Sequence, residues 1–483
     1  MLTETEPAPE AEEPSAPAEE RAEEPSVPTE KSVEEPAEEP SAPAASKPAK
    51  TTQYAAAHAP ETVRRTVEND DDPNTLDTEE IAPSAWTVDT SADREANANM
   101  KSVQAAAIGE AQHYELKNGF TAVLENGVLT LSGEGTTGWM NNGNEAPWYD
   151  VRNQIREVVI EEGVTSVSKL FWNCTNLETV TLPEGLTALY GTFNGCTKLK
   201  SIELPASLTR IGEGTFADCK ALVSVTAPNV ETVEPYAFQG TTMKSYTLPK
   251  TLNELSPLAF WKGRVESFTL EDGNETYLER DGILYTDGGK TISNYPTGRK
   301  TEQVKIPDGV TAVGDCAFAS NAYLKSIDFN GVTALGYSAF TSCTALETLV
   351  IPDTITKIDS CVFENCSGLK SVKFGSGLEK TGYRTFAGCK ALTSIDFGTT
   401  LKEIEGLCFA YCDGLKSVTL PKNITKVGNG CFGECHGLES FTATALTILP
   451  YQTFLNDYRL TSLTLNDGIT EICRYAVYGT NSL

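Results

Sequence analysis

Apolar residues along the C-terminal three-quarters of the chain fall into one arrangement that returns at a fixed interval. The stretch 415–435, LKSVTLPKNITKVGNGCFGEC, shows it in full. LKSVTL alternates apolar and polar positions, which predicts a strand with one buried face, and Leu415, Val418 and Leu420 point inward. Pro421 has no N–H to give and ends the pairing. Ile424 and Val427 open a second inward-facing segment, Gly428 permits a turn, Phe432 fills the interior and Cys435 closes the unit.

The same unit recurs from Phe171 onward. Phe171, Phe193, Phe216, Phe238 and Phe260 are followed by Phe318, Phe340, Phe363, Phe386, Phe409, Phe432 and Phe454, and Val477 completes the column. Every interval is 22 or 23 residues except Phe260 to Phe318. Twelve of the 18 phenylalanines stand in this column, so the period is not a by-product of composition. A unit this short cannot bury its own apolar side and needs neighbours stacked on it. The prediction is a mainly β solenoid with parallel strands. At ~4.8 Å per stacked strand, thirteen units would make a rod or arc of roughly 60 Å.

The chain divides accordingly. Residues 1–111 read as an acidic linker, 112–154 as a capping β segment, and 155–270 as five units. An inserted hairpin is placed at 271–303, and eight units, the last truncated, at 304–483.

Eight cysteines stand three residues after the column aromatic: Cys174, Cys196, Cys219, Cys343, Cys366, Cys389, Cys412 and Cys435. Asn321 and Asp457 hold the same slot in two other units. A polar group turned inward there must bond backbone, so the slot is read as a tie for a tight loop.

These features, L-x-x-V-x-L-P, V-T-x-I-G and A-F-x-x-C, are well seen in LETLVIPDTITKIDSCVFENC at 346–366. Over about residues 112–483 the sequence resembles the BspA-like, treponemal-type family of bacterial leucine-rich repeat surface proteins. The resemblance implies a right-handed leucine-rich-repeat coil and, in function, binding to host matrix proteins or other bacteria. Thr241, Gly263 and Thr480 depart from the cysteine slot, so those loops are expected to be less well tied.

Asn126-Gly127, between two apolar runs in TAVLENGVLTLSGEG, signals a hairpin. With Trp139, Trp148 and Tyr149 it would cover the open edge of the first coil. An aromatic platform for sugar is the alternative. DGILYTDGGKTISNYPTG, 281–298, reads as a second hairpin turning at Asp287-Gly288-Gly289. Tyr285, Tyr295 and Lys290 would project from it, either as a binding island or as a spacer. The sequence stops at Leu483 inside a unit, and the natural protein is expected to be longer.

Charge changes the picture at the N-terminus. Residues 1–100 hold 25 Asp and Glu against 7 Lys and Arg, within a formal net charge of −29. Ten of the first 50 residues are Pro, and EEP returns at Glu12, Glu23 and Glu34. Neither helix nor sheet propagates through such a run, and like charges extend it, so a disordered, polyproline-like spacer is predicted. The acidity argues against nucleic acid and anionic membrane as partners. No apolar run approaches the roughly 20 residues that span a bilayer. MLTETEPAPE lacks the basic and apolar regions of a secretory signal, which is expected to have been removed.

Candidate chemistry is sparse. The three histidines are His58, His113 and His436, and adjacent Cys435 and His436 would have to face each other to act as nucleophile and base. No C-x-x-C, phosphate loop, dinucleotide fingerprint or nucleophile elbow occurs, and no catalytic residue, metal or cofactor is assigned. The 13 cysteines are expected to be free, buried thiols, although column neighbours ~5 Å apart lie within disulfide range.

The strands' outward face is the candidate partner surface. Its residues include Lys370, Lys373, Ser394, Asp396, Ser417 and Thr419, joined by Tyr285 and Tyr295 of the insertion. The function expected is non-enzymatic: a secreted or surface-displayed protein, extracellular, that binds a protein ligand. The alternatives are an accessory arm of a larger secreted enzyme and a carbohydrate-binding surface protein.

Overall fold

The computed structural model describes residues 110–138, 140 and 143–483. The spacer expected over 1–111 therefore lies almost wholly outside the described residues, as does Trp139. The described chain is a β solenoid of about 14 coils with parallel strands and almost no helix. Each coil has three sides. The first carries the alternating strand: Ser417–Leu420 pairs in parallel with Ser440–Ala443, and that with Ser462–Leu465. The register matches like with like, Ser417 to Ser440 to Ser462 and Thr419 to Thr442 to Thr464. The second side carries two-residue strands such as Glu403–Ile404 beside Lys426–Val427. The third side has no strand, yet its turns hydrogen-bond from coil to coil: Phe386 N–H donates to Cys408 O at 2.8 Å and Phe409 N–H to Cys431 O at 2.9 Å.

Aromatic rings fill the interior in two stacks, one running from Trp148 to Phe260 and the other from Tyr295 to Phe454. Phe363, Phe386 and Phe409 follow one another with ring centroids 5.4 Å apart and planes within 7°. Stacking offset rings adds to plain apolar burial. The first ring of each stack is not a phenylalanine. Trp148 lies on Phe171 at 5.9 Å, and Tyr295 lies on Phe318 at 4.3 Å.

The slot three residues later works between coils. Cys196, Cys219, Cys343, Cys366, Cys389, Cys412 and Cys435 each donate from Sγ to the phenylalanine carbonyl of the preceding coil, at 3.0–3.4 Å. The expected loop tie is thus a rung from one coil to the next. A carbonyl turned into an apolar interior needs a donor, and a small, weakly polar thiol supplies one without bulk. Asn321 does the same with its amide, reaching Pro296 O at 3.4 Å. Thr241 ties its own turn instead, donating to Phe238 O at 2.9 Å.

At the N-terminal end, Gln112–Glu115, Thr121–Glu125 and Val128–Ser132 form an antiparallel meander. Asn126 and Gly127 both have positive φ, 52° and 85°, as a tight hairpin turn of the primed kind requires. Val128–Ser132 then pairs in parallel with Glu157–Ile160, so the cap is the first rung of the first ladder. Trp148 is buried in the core, and its indole N–H donates to Leu170 O at 3.1 Å. It is no sugar platform.

The insertion corrects a second expectation. Tyr285 and Tyr295 do not project: they are 1% and 4% exposed. Tyr295 stands 23 residues before Phe318 and 35 after Phe260, so it is the column residue of one coil enlarged by about a dozen residues. Within that coil Leu278–Arg280, Ile283–Thr286 and Thr291–Asn294 make an antiparallel meander, turning at Asp287–Gly289. Thr291–Asn294 is an ordinary rung of the second ladder, pairing in parallel with Ala312–Val313. Ile283–Thr286 crosses the interior instead of leaving it. Ile283 and Tyr285 belong to the core of the C-terminal coils, whereas Leu284 belongs to the core of the N-terminal coils. The consecutive apolar run Ile-Leu-Tyr is what a strand covered on both faces needs. Lys290, at the turn, is exposed.

Candidate interaction surface

Alternation in the first-side strands turns every second residue to solvent, and parallel registry repeats those residues at each rung. Lys370, Lys373, Ser394, Asp396, Ser417 and Thr419 are all exposed there. Lys373, Ser394 and Asp396 share one three-stranded sheet, in which Ser371 pairs with Ser394 and Lys373 with Asp396, and Lys370 stands just before its middle strand. Ser417 and Thr419 open the next sheet. Tyr285 and Tyr295 lie in the interior and drop out of the set.

Charge on this face is largely spent within it. Lys370 Nζ contacts Glu347 Oε2 at 2.7 Å, Lys325 contacts Glu302 at 2.8 Å, and Lys416 lies 3.7 Å from Glu439. Lys373 lies 3.9 Å from Asp396. The Lys370 ammonium holds the Glu347 carboxyl below its ordinary range, by hydrogen bonding and by charge. Exposed pairs of this kind contribute about 0–1 kcal/mol each. Their effect is to leave rows of Ser and Thr hydroxyls between self-neutralised charges. Thr247 and Thr269, for instance, join hydroxyls at 2.8 Å across adjacent coils. Such a face offers donors and acceptors at ladder spacing and few apolar anchors, Val223 and Val350 being the exposed aliphatic residues on it.

The second side carries a comparable charge ladder, with Lys402 on Glu379 at 2.7 Å and Lys426 on Glu403 at 2.5 Å. Lys380 is shared between Glu403 and Glu405. A shallow open depression beside Lys357, Asp359, Lys380 and Tyr383 marks where Thr381 replaces the aliphatic residue of neighbouring rungs.

Cys435 and His436 are not brought together as nucleophile and base. The thiol points inward to Phe409 O at 3.1 Å, and burial holds its pKa well above the ordinary value. The imidazole points outward, with Nδ1 3.0 Å from Asp413 Oδ1 and Nε2 3.1 Å from Glu434 Oε2. It stacks on Tyr458 with centroids 5.7 Å apart. Among the described residues no group of three or more His, Cys, Asp or Glu is placed to hold a metal ion. None of their helices is long and apolar enough to cross a membrane.

Three features escaped sequence reasoning. Trp148 and Tyr295 are column members, although each stands 23 residues from its neighbour and the spacing alone would find them. The Lys–Glu pairs across coils also follow the period, with Glu347 lying 23 residues before Lys370. Asp457 carries a buried oxygen, Oδ2, that has no partner, which no spacing reveals.

Residues 148–275, 294–412 and 383–483 match the family model described as the BspA type leucine rich repeat region, in six copies. Among solved structures the chain is similar to a leucine-rich repeat protein from Eubacterium ventriosum. The identity is 25%, over 78% of this chain and 96% of that one, with a TM-score of 0.54. It is also similar to a leucine rich cell surface protein from Faecalibacterium prausnitzii, at 21% identity over 74% and 96% of the two chains and a TM-score of 0.40. The pneumococcal vaccine antigen PcpA is similar at 20% identity over 76% and 88%, with a TM-score of 0.40. None of the curated proteins matches the sequence.

Proposed function

Because this chain belongs to the family built from BspA-type leucine-rich repeats, we propose that it is a non-enzymatic, extracellular interaction protein that binds a protein ligand through the outward face of its first ladder. Lys370, Lys373, Ser394, Asp396, Ser417 and Thr419 mark that face. The observation that carries this proposal is the registry of exposed hydroxyl and paired charged side chains from rung to rung. Such a surface suits a broad, polar protein contact, with hydrogen bonds spread over many coils. The acidic, proline-rich N-terminal sequence has the composition of a spacer, which would hold the coils away from whatever they are attached to.

The test uses the full chain against purified extracellular-matrix proteins in surface plasmon resonance. A variant carrying Ser394→Arg, Ser417→Arg and Thr419→Arg is expected to keep its β circular dichroism and to lose at least about tenfold in affinity, as disruption of two or more interface contacts would give. A matched variant on the second side, Lys402→Ser with Lys426→Ser, is expected to bind normally. The opposite pattern would move the binding face to the second side. Chemical conversion of a matrix protein by the chain would replace binding with catalysis.

A further inference from the structure

In eight coils the slot three residues after the column aromatic holds a hydrogen-bond donor to the preceding coil, and in one coil an aspartate stands there. Seven thiols and the Asn321 amide each donate there to a carbonyl 25 or 26 residues earlier in the chain. Asp457 occupies the slot in the coil of Phe454, and the equivalent carbonyl is that of Phe432. Asp457 is 0% exposed. Its Oδ1 accepts the Cys435 N–H at 2.7 Å, and its Oδ2 has no partner. An ionised carboxylate has nothing to donate and would put a buried charge beside an acceptor, whereas a carboxylic acid has the proton that the slot calls for.

We propose that Asp457 is a neutral acid whose Oδ2–H is the rung to Phe432, making the attachment of the last two coils, 438–483, depend on proton concentration. The surroundings favour the neutral form. Burial is the largest cause, and the Glu434 and Asp413 carboxylates push the same way, against the Cys435 N–H; together they raise the Asp457 pKa to about 9. Glu434 is itself buried, accepting from Asn456 Nδ2 at 2.7 Å and facing His436. The Cys435 thiol faces Asp457 as well and is raised mainly by burial.

The linkage has one sign. Released into water, Asp457 returns to about 3.9, so the folded coil holds a proton that the opened coil does not. Its stabilising effect is complete below about 4 and is lost progressively as pH rises towards about 9. Acid secures this end of the repeat and alkali loosens it.

Native-state hydrogen exchange of the full chain from pH 5 to 8 tests this, with rates corrected for intrinsic exchange. The amides of Phe454 and Asn456, which donate to Ala476 O and Tyr478 O, report the last two coils. In the unsubstituted protein their protection is expected to fall by up to about tenfold per pH unit, the limit for one proton. Asp457→Asn supplies a permanent donor, and Asp457→Cys restores the residue of the other coils; both should abolish the dependence. His436→Asn should leave it in place, which separates Asp457 from the imidazole that bridges Asp413 and Glu434. A pH-independent unsubstituted protein would overturn the proposal. So would an equal fall in Asp457→Asn and Asp457→Cys, or loss of the fall in His436→Asn.

Discussion

Truncating Phe386 to Ala removes one ring from the middle of the stack. Phe386 is fully buried, stacked 5.4 Å from both Phe363 and Phe409, and edge-on to Phe374 at 5.9 Å. Deleting a buried phenylalanine costs about 3–5 kcal/mol in transfer and cavity terms. Three ring contacts, each worth about 0.5–1.5 kcal/mol beyond area, place this site at the upper end of that range. The gap cannot close by collapse, because backbone bonds such as Phe386 N–H to Cys408 O fix the coil spacing on the third side. The loss should also be local, since each coil touches only its neighbours.

Hydrogen exchange in the full chain reads both magnitude and reach. Amides in the coils of Phe363, Phe386 and Phe409 should lose about 4 kcal/mol of protection, while those around Phe193 and Phe216, in the other core, should be unchanged. A double-mutant cycle sharpens the case. Phe386→Leu with Phe409→Leu should show coupling of about 0.5–1.5 kcal/mol, and Phe386→Leu with Phe193→Leu should be additive within about 0.5 kcal/mol. A loss below about 1 kcal/mol in Phe386→Ala, or equal coupling in the near and far pairs, would refute the stacked-interior account.

Twelve of the 13 thiols are buried and only Cys473 is partly exposed. Native alkylation without reductant should therefore label about one cysteine, and denatured protein all of them; several disulfide-linked column pairs would contradict this. The Arg384–Glu364 pair, 2.5 Å apart with both side chains 14% exposed or less, should cost about 3–5 kcal/mol when Arg384→Met leaves Glu364 unpaired. Arg384→Met with Glu364→Leu should recover most of that in thermal melting, and no recovery would argue against desolvation as the cause. Tyr285→Ala should lower stability like a core truncation, by about 3–5 kcal/mol, and leave ligand affinity intact. Normal stability with lost binding would return Tyr285 to the surface.

The solenoid was readable because its period is carried by one bulky residue at a position that nothing else can fill, as at Phe386 or Phe409. The cysteine slot was half readable: that Cys389 must bond backbone follows from its chemistry, but its partner, Phe363 O, exists only once coils are stacked. The insertion was not legible in the same way, because an inserted hairpin is expected to leave the rod and carry Tyr285 and Tyr295 outward, whereas both are buried. The cue lay in Ile283-Leu284-Tyr285, whose lack of alternation marks a strand with no wet side. Candidate surface residues such as Ser394 and Asp396 were legible through alternation. The partners of Lys370 and Lys373 depended on register, which one strand read alone does not contain.

The strand Ile283–Thr286 acts on the long interior as a bulkhead acts on a hull. Buried side chains on its two sides form separate cores, so water admitted by a defect in one set of coils stops at this wall. Heating should accordingly melt the repeat in two steps rather than one, each answering to substitutions on its own side. Coils could also be gained or lost at one end of such a molecule without disturbing the compartment at the other.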